Sequence, residues 1–248
     1  IITLILCLSI LMLNAQNYIK TTTYTSGGSN VTYKYYDGLG RLSEISTNGM
    51  GVLGNYVSTY ITYDQNGREL RQYLPSIIGG TTDYHSESVF QQFSSYTPCN
   101  DSHAYSENEY NAFGQIVATG GAGDEWHNAG RKIRKQYTTN SSQEVKCYIA
   151  PNNTSGITQN GYWSAGMLTC ESTTDEDLNT IDVFHDVNGH IILERRDNFH
   201  TYYVYDNYGL LRYVLQPMYQ QTADIDKYAF QYSYDTKGRC VKKTIPGC

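Results

Sequence analysis

Hydrophobic and polar residues alternate along much of this chain. Val31, Tyr33 and Tyr35, for example, are separated by polar residues, and a second run of the same kind begins near Tyr60. Alternation with a period of two, rich in Tyr, Val, Ile and Thr, is typical of half-buried β-strands. Amphipathic helical periodicity is absent, and a helical turn is expected only within residues 218–228. The pattern therefore predicts an all-β fold.

A short phrase of the form Tyr-Asp-x-x-Gly-Arg recurs between these alternating runs. Its six copies, of which the third to fifth are looser, are in chain order Tyr36–Arg41, Tyr63–Arg68, Tyr110–Gly114, His185–Gly189, Tyr205–Gly209 and Tyr234–Arg239. Asp at the start of a turn accepts hydrogen bonds from backbone N–H groups, and Gly three positions later tolerates a positive φ. Each phrase therefore predicts a hairpin tip, a type I turn followed by a left-handed residue. The residues assigned to these tips are Asp37, Gly40, Arg41, Asp64, Gly67, Arg68, Gly114, Asp186, Gly189, Asp206, Gly209, Asp235, Gly238 and Arg239.

Six hairpins in series predict a larger sheet. A single hairpin is marginal in water because it cannot bury both faces, whereas repeated units can stack and cover one another. The 25 Tyr residues suit such a sheet, since each packs a ring on a half-buried surface and keeps its hydroxyl in water. We expect antiparallel hairpins stacked into a curved or spiralling sheet over residues 16–248, with a less regular insertion near residues 76–106.

The N-terminal stretch differs from the rest of the chain. Residues 1–13 are mostly apolar, and Ala15 precedes a polar start. This is typical of the hydrophobic core and cleavage site of a secretory signal peptide, and it is short for a membrane span. We expect a signal peptide over residues 1–15, cleavage near Ala15, export to the medium or cell surface, and no membrane span in the mature chain. Five Cys residues then remain, so at least one thiol is free or pairs with another chain.

Charge and motifs narrow the functional classes. The formal net charge is -6, and this mild acidity argues against a nucleic-acid partner. Serine-nucleophile motifs of the Gly-x-Ser-x-Gly kind are absent. The glycine-rich stretch Gly120–Gly123 is not expected to precede a helix, so it lacks the helix N-terminus that phosphate sites use. We expect a non-enzymatic protein with no cofactor and no metal.

Two metal hypotheses remain open as weaker alternatives. Asp175–Asp177, with Asp182 and Asp186, forms the densest acidic group, and hard cations such as calcium bind carboxylate oxygens. Its spacing does not follow an EF-hand loop, so a solvated connection between strands is the preferred interpretation. His185 and His190 bracket one turn and allow a zinc hypothesis, although the six His residues are otherwise spread along the chain without a cluster.

Two tryptophans, Trp126 and Trp163, support an alternative function. Together with neighbouring Tyr residues, their rings are suited to stacking on sugar rings, although a β-sheet also needs aromatic residues. The alternative prediction is a module that contacts glycans or another cell's surface.

The repeated phrase resembles a known family signature. As it stands at Tyr36–Arg41, it is similar to the YD repeat of rearrangement-hotspot (RHS) and teneurin-like proteins. The resemblance continues, in order, to an uncharacterised domain near the N-terminus of secreted bacterial RHS proteins, at Gln72–Pro75, Tyr105–Gly123, Tyr202–Pro217 and Lys243–Gly247. The third phrase departs at Asn111 and Gln115, and the fifth has Leu210 where Arg is expected. These copies are expected to keep the hairpin and to lose only an Asp–Arg interaction.

The resemblance implies a fold and a role. It implies a long β-sheet that spirals into a hollow shell, of which this chain is the first part. The implied function is structural, the enclosure or display of a C-terminal effector. The implied partners are the remainder of the RHS shell or that effector.

Overall fold

The computed structural model describes residues 17–25, 28–48, 56–78, 83–93, 101–151 and 156–247. The predicted signal peptide lies outside the described residues and stays a prediction. The chain forms two compact units, the first comprising residues 1–109 and 120–130 and the second residues 110–119 and 131–248. Among the described residues, no helix is long and apolar enough to cross a membrane.

The first unit is built mainly of antiparallel strands. They are β1 (Asn17–Thr25), β2 (Gly28–Tyr36), β3 (Leu42–Asn48), β4 (Tyr56–Tyr63), β5 (Glu69–Tyr73), β6 (Ser76–Ile78) and β7 (Tyr105–Tyr110), with two short helices, α1 (Glu87–Phe93) and α2 (Asp124–Asn128). The strand order is β1-β2-β3-β4-β5-β7, and β6 pairs with β4. All of these pairs are antiparallel.

The second unit continues the same design. Its strands are β8 (Ile116–Gly120), β9 (Lys132–Thr139), β10 (Lys146–Ile149), β11 (Thr158–Tyr162), β12 (Thr169–Thr174), β13 (Thr180–His185), β14 (Ile191–Arg196), β15 (Phe199–Tyr205), β16 (Leu211–Leu215), β17 (Ala229–Tyr234) and β18 (Cys240–Thr244), with helices α3 (Tyr219–Thr222) and α4 (Ile225–Tyr228). The strand order is β8-β9-β12, and from β12 the strands follow in chain order to β18. Strands β10 and β11 form a separate hairpin. The predicted all-β antiparallel fold is confirmed.

Each unit has an aromatic core. In the first, α1 places Phe90 against Tyr60, with ring centroids 4.9 Å apart, and against Tyr73. In the second, the β10–β11 hairpin packs Tyr148 against Tyr202 at 5.1 Å. Phe90, Tyr73 and Tyr202 are almost completely buried. Alternating strands bury one face only, so α1 and the hairpin supply the cover that this face needs.

The helices were predicted only in part. The helical turns α3 and α4 lie within residues 218–228, as expected. The expectation of no other helix was wrong, because the region near residues 76–106 contains β6 and the seven-residue helix α1. The expectation that Gly120–Gly123 precedes no helix was also wrong, since α2 begins at Asp124. Helices this short carry little periodic signal and depend on tertiary contacts.

Candidate functional site

The first phrase shows how the repeated turn is held. The backbone N–H of Asp37 donates to the carbonyl of Arg41 at 2.8 Å, and that of Gly40 donates to the carbonyl of Asp37 at 3.0 Å. The Asp37 Oδ1 atom accepts from the backbone N–H groups of Leu39 and Arg41, both at 2.9 Å. Gly40 has a φ of 79°, where a residue with a Cβ is strained. The turn is therefore specified by five consecutive residues.

The other five phrases have the same backbone. Their glycines, with φ values between 75° and 82°, are Gly67, Gly114, Gly189, Gly209 and Gly238. In each copy the first Asp or Asn accepts from the backbone N–H groups two and four residues on. The strand register shifts by one residue beside five of the six turns, as a type I turn with a bulge requires.

In the first, second and sixth phrases, the Arg at the fifth position of the turn contacts the second oxygen of the turn's Asp. Arg41 donates to Asp37 Oδ2 from Nε and Nη2, each at 2.7 Å. The second and sixth phrases repeat this pair almost unchanged. The backbone N–H and then the guanidinium of Arg68 hold the pKa of the Asp64 carboxyl below its usual range. The Arg therefore completes the set of donors around one carboxylate.

The looser phrases replace this ion pair rather than simply losing it. In the third, Asn111 Nδ2 donates to Gln115 Oε1 at 2.8 Å. In the fourth, Asp186 Oδ2 contacts His190 Nδ1 at 3.0 Å. In the fifth, Arg212 reaches back to Asp206 Oδ2 at 3.5 Å. The expectation that these copies only lose an interaction was therefore wrong, because each has a substitute contact.

Neighbouring phrases also hold one another. The Arg41 guanidinium lies over the ring of Tyr63 at 4.4 Å, and the Tyr63 hydroxyl donates to the carbonyl of Leu42 at 2.7 Å. In the second unit, the His190 ring stacks on Tyr205 at 4.6 Å. The Arg or His at the end of one phrase and the Tyr at the start of the next thus link consecutive turns. We call this row of interlocked turns the turn ladder.

In each unit, the turn ladder lies at one end of the strands. Hairpin connections in an antiparallel sheet alternate between the two ends of the strands. Given the strand order, the turns after β13, β15 and β17 therefore lie at the same end of the strands in the second unit. The turn between β12 and β13 lies at the opposite end of the strands.

That opposite turn is a seventh copy that the sequence pattern missed. Asp175 N donates to the carbonyl of Asn179 at 2.9 Å, and Leu178 N donates to the carbonyl of Asp175 at 3.1 Å. Leu178 stands in the glycine position with a φ of 69°. Asp175 also accepts hydrogen bonds from the Asn179 side chain. The acidic group of the calcium hypothesis therefore contains a turn of the repeated kind, and the missing Gly hid it.

The first unit contains a further polar cluster. Asp101 accepts from the backbone N–H groups of His103 and Asp124, each at 2.9 Å, and His103 Nδ1 lies 2.5 Å from Asp124 Oδ1. The His103 and His127 rings stack at 3.6 Å. His103 lowers the pKa of the Asp124 carboxyl through this hydrogen bond. The cluster ties the turn at residues 101–103 to α2.

This cluster bears on the metal hypotheses. Within the ranges that the structure describes, Asp101, His103 and Asp124 are the one group of three side chains whose ligand atoms lie within 4.8 Å of one another. The expectation that the His residues form no cluster missed this group, because Asp124 lies 21 positions from His103 along the chain. The zinc hypothesis at His185 and His190 gains no third ligand among the described residues.

The two tryptophans lie in different units. Trp126, on α2, is 38% exposed. Trp163 follows β11, is partly buried and packs against the core of the second unit. It also lines a cleft of about 300 Å³ between the β10–β11 hairpin and the turn ladder. The structure therefore places one tryptophan in each unit.

Comparison with known proteins supports the fold and identifies the family. No curated protein matches the chain. A solved structure titled "Crystal Structure of TcdB2-TccC3" matches with a TM-score of 0.58 at 17% sequence identity, over 92% of this chain and 12% of that one. At this identity the likeness concerns the fold alone, and this chain spans about 12% of the length of the matched chain. The sequence profile of the domain of unknown function DUF6443 matches residues 10–139, more than half of the 248 residues, and the chain belongs to that family.

Proposed function

We propose that this chain is a non-enzymatic structural segment of an RHS-type shell. The observation that carries the proposal is the turn ladder, in which the first phrase contacts the second and the fourth to sixth phrases contact one another in order. Such contacts suit a wall, because a sheet of many hairpins is stable only when neighbours cover one another. The likeness in fold to TcdB2-TccC3 supports the same role.

The strands at the ends of the described sheet support the choice of partner. Among the described residues, β1 pairs with β2 alone and β18 pairs with β17 alone. Tyr24 on β1 is 83% exposed, and Val241 on β18 is 64% exposed. An exposed edge strand presents unpaired backbone groups to another strand. The proposed partners are further strands of the same shell or a C-terminal effector domain.

Self-association of the chain tests this proposal. We expect the weight-average sedimentation coefficient to rise with protein concentration, because the edge strands pair between molecules. Tyr24→Lys should reduce this rise, since a charge on an edge strand opposes pairing. The matched control is Tyr208→Lys at a turn tip, where Tyr208 is 76% exposed, and it should behave as the parent chain does. A monodisperse monomer at every concentration would contradict the proposal.

We infer that the protein is exported. The apolar run at residues 1–13, followed by Ala15, supports cleavage of a signal peptide. N-terminal sequencing of the protein recovered outside the cytoplasm should begin at or near Gln16. Recovery of the uncleaved chain in the cytoplasm alone would overturn this inference.

A glycan-binding function is the second candidate. The observation that favours it is the position of Trp163 in the cleft beside the turn ladder. Trp126, the other tryptophan, is exposed on the short helix α2. The chemistry of the Trp163 cleft decides which ligand it suits.

A further inference from the structure

The polar cluster of the first unit brings two carboxylates and an imidazole together. Asp101, His103 and Asp124 each place one potential ligand atom within 4.8 Å of the other two, and all three residues are half-buried. Carboxylate oxygen and imidazole nitrogen are both ligands that zinc binds in proteins. The cluster therefore has the donors of a site with three protein ligands.

Backbone hydrogen bonds hold the two segments of this cluster against each other. The N–H of Gly123 donates to the carbonyl of His103 at 2.8 Å, and the N–H of Asp124 donates to Asp101 Oδ2 at 2.9 Å. Asp101 Oδ1 accepts from the backbone N–H of His103 at 2.9 Å. These contacts fix the positions of the three side chains, so that little further ordering is needed when an ion binds.

Both carboxylates keep lone pairs for a cation. An ionised carboxylate has roughly four acceptor sites, and the hydrogen bonds of Asp101 within the described residues use one on each oxygen. At Asp124, the Ser102 hydroxyl and His103 Nδ1 contact Oδ1, whereas Oδ2 accepts from the Ser102 backbone N–H at 3.1 Å. Each side chain can therefore keep its present contacts to the backbone and still bind an ion.

The negative charge of the cluster has little compensation. Two carboxylates this close repel each other, and in the described part of the chain neither forms an ion pair with Lys or Arg. The one ionisable partner recorded for Asp124 is His103, and Glu125 adds a further carboxylate beside it on α2. A divalent cation would balance both carboxylates at once, whereas a neutral imidazole balances neither.

Helix α2 supplies a second imidazole beside the cluster. Asp124 and His127 are three positions apart on this helix, so they lie on the same side of it. The His127 ring stacks on that of His103, with ring centroids 3.6 Å apart. Two imidazoles next to two carboxylates suit zinc, whereas calcium and magnesium prefer oxygen ligands alone.

We propose that this cluster binds a Zn²⁺ ion, with Asp101, His103 and Asp124 as ligands and His127 as the fourth. The contact between His103 Nδ1 and Asp124 Oδ1 is then replaced by a bond from each residue to the ion. The ion joins the turn at residues 101–103 to α2 and thereby stabilises the first unit. This inference does not depend on the proposed shell function.

Isothermal titration calorimetry of the full chain with ZnCl₂ tests the site, and CaCl₂ and MgCl₂ are the comparison probes. Zn²⁺ should bind at least about tenfold more tightly than Ca²⁺ or Mg²⁺. Asp124→Asn and His103→Gln should each raise the Kd for Zn²⁺ at least about tenfold, since even the loss of a residue that only orients a ligand costs that much. Zn²⁺ should also raise the melting temperature of the parent chain more than that of either variant.

Glu125→Gln is the matched control. Glu125 is exposed, follows Asp124 on α2 and lies outside the group of three ligands. It removes the same charge as Asp124→Asn, and it should leave the Kd for Zn²⁺ unchanged, because the ion is held by its ligands and not by the net charge of the helix. Since Asp124 also binds the Ser102 backbone, His103→Gln keeps the test decisive if Asp124→Asn does not fold.

Four results would each overturn the proposal. They are the absence of Zn²⁺ binding by the parent chain, an unchanged Kd in the ligand variants, equal effects of Glu125→Gln and Asp124→Asn, and calcium binding as tight as that of zinc.

Discussion

Replacing Phe90 with alanine is expected to lower the free energy of unfolding by about 3–5 kcal/mol. Phe90 is 1% exposed and packs between Tyr60 and Tyr73. It is also the main anchor of α1, which has only seven residues and cannot persist without tertiary contacts. The truncation therefore removes buried aromatic area and detaches the helix that covers the core of the first unit.

Urea denaturation followed by near-ultraviolet circular dichroism measures this effect. Phe113→Ala is the matched control, because Phe113 is 90% exposed at the tip of the third turn. Its free energy of unfolding should change by at most about 0.5 kcal/mol, as is usual for surface substitutions. Equal denaturation midpoints for the two variants would show that α1 does not cover the core as described.

Gly67→Val is expected to destabilise the turn ladder more than the same substitution at Gly40. Gly67 has a φ of 79°, and a β-branched residue there is strained by about 1–3 kcal/mol. A Cβ at this position would also lie 3.2 Å from the Nη1 atom of Arg41, whose guanidinium packs on Tyr63. The substitution therefore strains its own turn and disturbs the contact with the preceding one.

Two further variants separate these causes. Gly40 has the same φ, but a Cβ at this position would have no atom within 4 Å. Gly40→Val should therefore show the effect of backbone strain alone. Gly38 also has open space and no positive φ, so Gly38→Val should change the melting temperature least. A melting temperature for Gly67→Val equal to that of Gly38→Val would contradict the turn assignment.

The reverse substitution, Leu178→Gly, should raise the melting temperature, because it removes a Leu from the left-handed backbone conformation.

Glu44 illustrates what the alternation of residue types could not predict. It is fully buried on β3, and it accepts from the backbone N–H of His85 at 2.8 Å and contacts His85 Nδ1 at 2.9 Å. Burial raises the pKa of the Glu44 carboxyl, and the hydrogen bonds from His85 oppose that shift. A strand pattern assigns such a Glu to the solvent face, because the partner that makes its burial tolerable lies 41 residues away.

The cleft beside the turn ladder was likewise predictable from the sequence only in part. The fourth turn, which contributes Asp186, Asn188 and His190 to the cleft, could be assigned from the sequence, since neighbouring residues define it. The cleft could not be predicted, because it exists only where the β10–β11 hairpin folds back towards β15. The Asp101–His103–Asp124 cluster escaped notice for the same reason, as its hydrogen bonds join residues up to 23 positions apart.

The sequence by itself determined the six repeated turns of this protein and the strands beside them, because each turn depends on hydrogen bonds within five residues. Only the tertiary structure decided that the guanidinium of Arg41 packs on Tyr63 of the next phrase. It also decided that Leu178 is tolerated at a positive φ and that Phe90 holds a helix too short to form alone. These outcomes depend on packing between residues distant in the chain, whose free energies no local pattern records.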